Sequence, residues 1–469
     1  ALVAIDLIIY YPFFKIYEKK SLQEEGRLEN EKVSSLLFSL ALPSILAQLA
    51  TLIYNMVDRI YIGRLPDGGL SIAGIGLCTS IITIITAFSN LFGRGGAPLA
   101  SIKLGEKNPK EAERILGNAF SSLILTSLII MFCLFVWGDK ILILFGASQK
   151  TLPYALSYLR IYAVGTVFIQ LTVGLNYFIN TQGYAKFGMM TLLIGGILNI
   201  ILDPIFIYVL HMNVAGAALA TIISQFVSCI WVLSFLFGKK TIIKIRKEYL
   251  LFDKNIMKKI LGLGFTPFFM SSTEGILQVA FNRQLLLYGG DLSVSAMTIL
   301  LSMSQILSLP MEGIAQGAQP IISYNFGAKK YNRVKETIKI TIKVALTYSI
   351  IGVLLMEAFP QVFVSLFANN TQLIQLSYQL LRIYIFGFII MGAFSTFQQT
   401  YNALGCGKNA FFFAFFRKII LLIPLIYLLP FILPSYGVYA VVLAEPISDL
   451  MTTILNGIYF KHFVKKTLA

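Results

Sequence analysis

Asn199 and Asp203 stand four residues apart in the apolar stretch NIILDPIFIY (199–208), and Pro204 follows at once. On a helix, residues i and i+4 share a face, so the amide and the carboxylate point the same way. Pro204 has no N–H, which leaves the carbonyl of Ile200 without its helical donor, and the chain before a proline tends to bend. A second acid, Asp58, lies in another apolar run. Two carboxylates, an amide oxygen and a spare carbonyl make a donor set for a hard cation such as Na+. The same set suits a proton, which two neighbouring carboxylates can share. The plainer alternative has Asp203 capping a bent helix and Asp58 pairing with Arg59 or Arg64. A charge at mid-membrane costs at least ~2.5–3.5 kcal/mol, so acids retained there usually face a cavity or carry ions.

The elements that hold these residues are membrane spans. The 469 residues are 57% hydrophobic and 13% charged, with a mean hydropathy of +0.77. A soluble domain carries about a quarter charged residues. Crossing the hydrocarbon takes roughly 20 apolar residues as helix. Segments of that kind fall near 36–60, 70–92, 115–137, 154–179, 187–210, 214–237, 260–287, 292–314, 337–359, 373–400, 410–431 and 436–460. Lysines and arginines gather after the second, fourth, sixth, eighth, tenth and twelfth segments. These loops share one side, so the positive-inside rule makes it cytoplasmic, with both termini inside. The net charge of +16 is therefore read as an orientation signal, not as nucleic-acid binding. Cys78, Cys133, Cys229 and Cys406 have no metal-ligand or disulfide spacing, and His211 and His462 have no second ligand nearby in sequence. No hydrolase or metalloprotease motif appears, so an enzyme is not expected.

The chain repeats itself. GGAPLASIKLGEK (95–107) matches GAQPIISYNFGAK (317–329), and RIYAVG (160–165) matches RIYIFG (382–387), both 222 residues apart. Pro43 pairs with Pro267, and 214–224 with 438–448, at 224. Six spans per repeat put the halves in parallel topology about an axis along the membrane normal, an arrangement suited to alternating access. The expected architecture is an all-α membrane protein with twelve transmembrane helices in two pseudo-symmetric six-helix bundles. An extension occupies 1–32, the N-lobe 33–237, a basic linker 238–259 and the C-lobe 260–469. Under this repeat Asp58 falls on Asn282, Asn199 on Leu421 and Asp203 on Leu425. The second copy lacks the constellation, so a coupling cation belongs in the first.

These stretches resemble the multidrug and toxic compound extrusion (MATE) family. AQLATLIYNMVDRIYIGRL (47–65) is similar to its first-helix signature, NIILDPIFIY to its fifth, GAALATIIS (216–224) to its sixth and AEPISDL (444–450) to the last helix of many bacterial members. The resemblance covers about 33–465. It implies export of amphipathic, often cationic organic compounds against Na+ or H+, with no other cofactor. It also implies a cation site of Asp58, Asn199, Asp203 and Thr221, with Pro204 as the bend. Glu274, Asn282, Glu312, Arg417, Glu445 and Asp449 are the polar candidates of the C-lobe. Arg417 is expected either to pair with Glu274 or Glu312 or to meet substrate. FFFAFF (411–416) is expected mostly against lipid or neighbouring helices. The chain is expected as a monomer in a prokaryotic inner membrane, with the lipid bilayer and small organic substrates as its partners. The alternative is a lipid-linked saccharide flippase of the same wider superfamily, which would need more arginines inside the spans. ALVAIDLIIYYPFFKIYEKK (1–20) resembles the end of a lactose/cellobiose-type phosphotransferase membrane component. Being so short, it is read as a cytoplasmic-side or fused remnant and not as sugar phosphorylation.

Overall fold

The computed structural model describes residues 26–63, 65, 68–365 and 371–469; residues 1–20 lie outside them. Its spans are numbered α1 to α12. In the first half, α1 is Val33–Gly63, α2 Gly68–Gly105, α3 Pro109–Leu144, α4 Leu152–Thr181, α5 Ala185–Val209 and α6 Asn213–Phe237. In the second half, α7 and α8 share the single run Lys254–Gly327, α9 is Tyr331–Ala358, α10 Thr371–Ala403, α11 Gly407–Ile432 and α12 Val438–Thr467. The run of α7 and α8 turns at Gly290, where φ is 65°. Only glycine adopts that backbone without strain, so one residue replaces the loop that hydropathy placed at 288–291.

Local chemistry sets the ends. Asn108 caps α3 by accepting from the Glu111 N–H, and Pro109 occupies the first turn, where its missing N–H costs nothing. Asp253 caps α7 by accepting from the N–H groups of Asn255 and Ile256. The helix therefore starts at Lys254, and the linker is shorter than the expected 238–259. The linker is also anchored to the N-lobe. Gln182 Oε1 accepts from Thr241 and from the N–H groups of Ile242 and Ile243, and Glu113 pairs with Arg246 at 2.5 Å.

The repeat is visible in the backbone. Lys107 and Lys329, 222 apart, both have φ 58°, and Gly183 and Gly405, also 222 apart, both have positive φ. The crossing of α2 and α8 uses one contact twice. A Cβ on Gly105 would sit 2.0 Å from Tyr324 O, and one on Gly327 would sit 2.0 Å from Ile102 O. Helix backbones this close tolerate only glycine. Likewise Gly95 of α2 packs on Ile260 and Gly264 of α7, and Gly317 of α8 packs on Ala41 of α1.

Three buried cores divide the molecule. One joins both lobes at the basic-loop end, with Leu37, Leu104 and Phe178 from the first half and Ile260, Tyr324 and Tyr401 from the second. The other two belong to single lobes at the opposite end: Ile62, Ile85, Tyr158 and Ile207 in the first, Phe281, Leu300, Tyr384 and Val442 in the second. A shared core at one end and separate cores at the other make a V, closed on the side of the basic loops.

A short helix before α1, Arg27–Asn30, reinforces the closed end. Leu28 is buried in the shared core. Glu29 pairs with Lys107 of the N-lobe at 2.9 Å and Lys330 of the C-lobe at 2.8 Å. These two ammonium groups pull its carboxyl down to about 2. Asn325 and Arg333 donate to the Leu28 carbonyl, and Arg333 also to that of Glu31. Residues 27–31 thus lie outside both repeats yet hold both lobes.

Candidate functional site

Asn199 and Asp203 sit on the buried face of α5, 3% and 0% exposed. The Asn199 amide donates to Asp203 Oδ1 at 3.3 Å and to Thr221 Oγ1 of α6 at 3.4 Å. Thr221 in turn donates to the Ala217 carbonyl. Asn199 Oδ1 and Asp203 Oδ2 are buried and have no partner among the described residues. Asp58 of α1 is close enough to act electrostatically on Asp203 and on the stacked pair Tyr158 and Tyr162 of α4. Four helices thus meet around two carboxylates. Among the described residues, Asp203 forms no ion pair with a base.

Directly after Pro204 the chain makes a π-helical turn, Ile205–Val209. Proline removes one helical bond, and the wider turn absorbs the mismatch. Pro204 itself keeps helical angles, φ −63° and ψ −30°, so the disturbance lies after the proline and not before it. Gly216 of α6 fits against this turn, where a Cβ would meet the Phe206 backbone at 2.7 Å.

The C-lobe contains a different cluster. Arg417 of α11 donates to Asp449 at 2.6 Å and Glu445 at 2.9 Å, both on α12, with the Phe394 ring beneath. Lys418, 2% exposed, pairs with Glu274 of α7 and donates to the Met270 carbonyl. A π-helical turn, Phe416–Leu422, carries both bases. This corrects the expected partners of Arg417, which pairs with neither Glu274 nor Glu312. Lys418 takes Glu274, and Glu312 of α8 pairs across the lobes with Arg94 of α2 at 3.5 Å. Asn282 is half-buried on α7 and joins neither group. Phe411 and Phe415 pack on Phe265 and Phe269 of α7, as rings against a neighbouring helix.

The MatE family model matches residues 43–205 and 268–428. This chain belongs to the MatE family. The matched blocks start 225 residues apart (268 − 43) and end 223 apart (428 − 205), in step with the repeat. The multidrug export protein MepA of Staphylococcus haemolyticus (strain JCSC1435) is 28% identical over 429 residues, covering 91% of this chain and 94% of that protein. MepA of Staphylococcus aureus (strain NCTC 8325 / PS 47) is 26% identical over 431 residues with the same coverage. A MATE solved in the bent conformation matches with a TM-score of 0.88 at 20% identity, covering 95% of this chain and 98% of that one. A MOP superfamily transporter from Pyrococcus furiosus also matches at 0.88 and 20%, covering 94% and 98%. At that identity the structures speak for the fold: twelve helices in two lobes. As a MATE protein the chain is a multi-pass membrane transporter and not an enzyme.

Sequence reasoning named the acids of both polar clusters and Arg417, but not the pairing of Lys418 with Glu274 or the inter-lobe partner of Glu312, Arg94. Arg94 directly precedes the GGAPLASIKLGEK motif and reads there as a flanking charge. The repeat held the missing signal: Arg94 falls on Gln316 and Glu312 on Asn90, so each lobe contributes one charge where the other has an amide.

Proposed function

We propose that this MATE-family chain exports small amphipathic, often cationic organic compounds, by antiport against Na+ or H+ bound in the N-lobe. The observation that carries this reading is the pair of orphaned buried oxygens, Asn199 Oδ1 and Asp203 Oδ2, beside Asp58. Buried polar atoms nearly always have partners, and these two are oxygens of the kind that hold a hard cation. Asp58, Asn199, Asp203 and Thr221 would hold the ion, which supplies positive charge when bound. While both carboxylates are ionised, Asp58 and Asp203 repel. Neutralising that charge lets α1, α5 and α6 pack more closely, and the π turn after Pro204 gives α5 a place to change register. An ion biases such a change only by binding one form more tightly.

Substrate would cross between the lobes. The V, closed at the basic-loop end, presents a cleft whose walls bear Thr79 and Thr83 of α2 and Thr298 and Gln305 of α8, all exposed. With the basic loops in the cytoplasm of a prokaryotic cell, this form opens outward and acts as a monomer. The relatives named above are multidrug exporters, which favours organic substrates. A saccharide flippase has less support. Arg94, Arg417 and Lys418 are each matched to an acid, so they do not form an open pyrophosphate cradle.

The test is dye efflux from proteoliposomes with Na+ and pH varied separately. One of the two should drive efflux, and Asp203→Asn should abolish it in a well-folded protein. Efflux indifferent to both ions would overturn the antiport reading.

A further inference from the structure

The inter-lobe pair Arg94–Glu312 lies where the cleft ends. Both residues sit on the faces of α2 and α8 that also carry the exposed threonines and glutamine of the cleft walls. Glu312 is 48% exposed and Arg94 29%. Their contact is long for a charged pair, 3.5 Å, at the limit of a hydrogen bond. Among the described residues it is the one ion pair Glu312 makes.

The two partners are held very differently. Arg94 is anchored within the N-lobe: its Nε donates to Tyr177 Oη at 2.8 Å, and Tyr177 donates to Asn90 Oδ1 at 2.9 Å. Its guanidinium also lies over the Tyr177 ring, 5.3 Å from the centroid. Removing Glu312 would leave those contacts in place. Glu312 has no such anchor. The neighbouring Gly313 fixes its backbone against Ile45 of α1, while about half of its side chain stays exposed beside Arg94.

The repeat does not require this pair. The equivalents of Glu312 and Arg94 in the opposite lobes are Asn90 and Gln316, both neutral. The charges are therefore a local addition at the junction of the two lobes. A weakly held carboxylate at the inner end of a polar cleft, shared with an internal cation, has the form of an exchange site.

We propose that Glu312 receives the positive charge of an organic monocation at the cleft floor, and that the substrate does so by displacing Arg94. The inference rests on the exporter reading and names the substrate's charge site within it. Displacement has a consequence for the lobes. Arg94–Glu312 joins α2 to α8, so a substrate that takes Glu312 removes one ionic link across the closed end. Binding then favours the separation of the lobes that release to the other side requires.

The test is equilibrium binding of ethidium, a permanently charged dye, to purified protein in nanodiscs, with uncharged Nile red as the control. Glu312→Gln should weaken ethidium binding about tenfold and leave Nile red unchanged, the scale of losing one partly exposed charge partner. Arg94→Gln should do the reverse and tighten ethidium, because it removes the competitor. A pair that is merely structural would weaken binding in both variants, and that result overturns the proposal. So does unchanged ethidium affinity in Glu312→Gln. If Arg94→Gln lowers the melting temperature, Tyr177→Phe serves instead. It leaves the cation in place but frees it to engage Glu312 more closely, so it should weaken ethidium and leave Nile red unchanged; unchanged or tighter ethidium binding, or an equal loss of Nile red, counts against the proposal. Asp203→Asn separates the two readings. It should bind ethidium normally while failing to export it, whereas a defect confined to Glu312 leaves the N-lobe site untouched.

Discussion

The N-lobe and the C-lobe each bury acids at mid-membrane, and they treat them oppositely. In the N-lobe Asp203 is met by the Asn199 amide, which also donates to the Thr221 hydroxyl, and a second carboxylate, Asp58, lies near. In the C-lobe Glu445 and Asp449 share Arg417, and Glu274 holds Lys418. The first group offers Asp203 no base among the described residues and orphans Asn199 Oδ1 and Asp203 Oδ2, whereas the second orphans Asp449 Oδ2 but matches each of its acids to a base. The second is largely neutralised by its own chain. One fold used twice has thus become a lobe with an acid that no base answers, the ion site we propose, and a self-paired lobe. The difference lies in a few side chains, since the helices, turns and inter-lobe crossings repeat closely.

The largest expected effect comes from removing the N-lobe charge. Asp203→Asn should lower efflux by about a hundredfold or more, the cost of deleting one buried charge partner. Melting temperature should hold or rise, because a bare buried carboxylate disappears. The C-lobe should answer the other way. Arg417→Met leaves Asp449 and Glu445 without their base and should destabilise the fold by about 3 kcal/mol. The triple change Arg417→Met, Glu445→Gln and Asp449→Asn should recover most of that stability, as read by thermal unfolding in detergent. Recovery without transport would mean the C-lobe pairs have a role beyond packing.

Two smaller effects sharpen the geometry. Pro204→Ala restores a helical donor to the Ile200 carbonyl and should reduce efflux about tenfold while dye binding survives, the scale of a mutation that biases a two-state element. Normal efflux would mean that the turn at 205–209 is passive. Removing residues 1–25 should leave export unchanged, whereas removal through Glu31 should open the basic-loop end, read as faster labelling of Tyr324→Cys in a background without native cysteines. Because Glu29 is held at about 2, below its ordinary 4.5, its contribution is fully present above pH 4.5 and fades only as pH falls toward 2. Labelling relative to a fully exposed cysteine, which corrects for thiolate formation, should therefore not change between pH 5 and 8.

Much of this was legible in the sequence, for physical reasons. Apolar runs long enough to cross a membrane have few other uses, so hydropathy found all twelve spans. It placed the break between α7 and α8 at 288–291, around Gly290, which turns the chain, but could not see the Asp253 cap, which starts α7 at Lys254 inside the basic stretch. The N-lobe acids stood out because a charge there is costly. The C-lobe pairings did not, because one face of a helix offers several acids and spacing alone cannot choose among them. Lys418 needed the π turn to bring it beside Glu274. The helix at 27–30 gave no signal, since four polar-flanked residues show no periodicity. Its hold on both lobes depends on the crossing of α2 and α8.

The division of labour between the lobes can be measured on purified protein without any substrate. Calorimetric titration with Na+ at fixed pH, repeated as proton release at fixed Na+, counts the ions bound per chain. We expect one Na+ or proton site in the wild type, lost in Asp203→Asn and in Asp58→Asn, and retained in the triple C-lobe variant. A site that survives Asp203→Asn but vanishes with Arg417, Glu445 and Asp449 would contradict the assignment and place the coupling ion in the C-lobe.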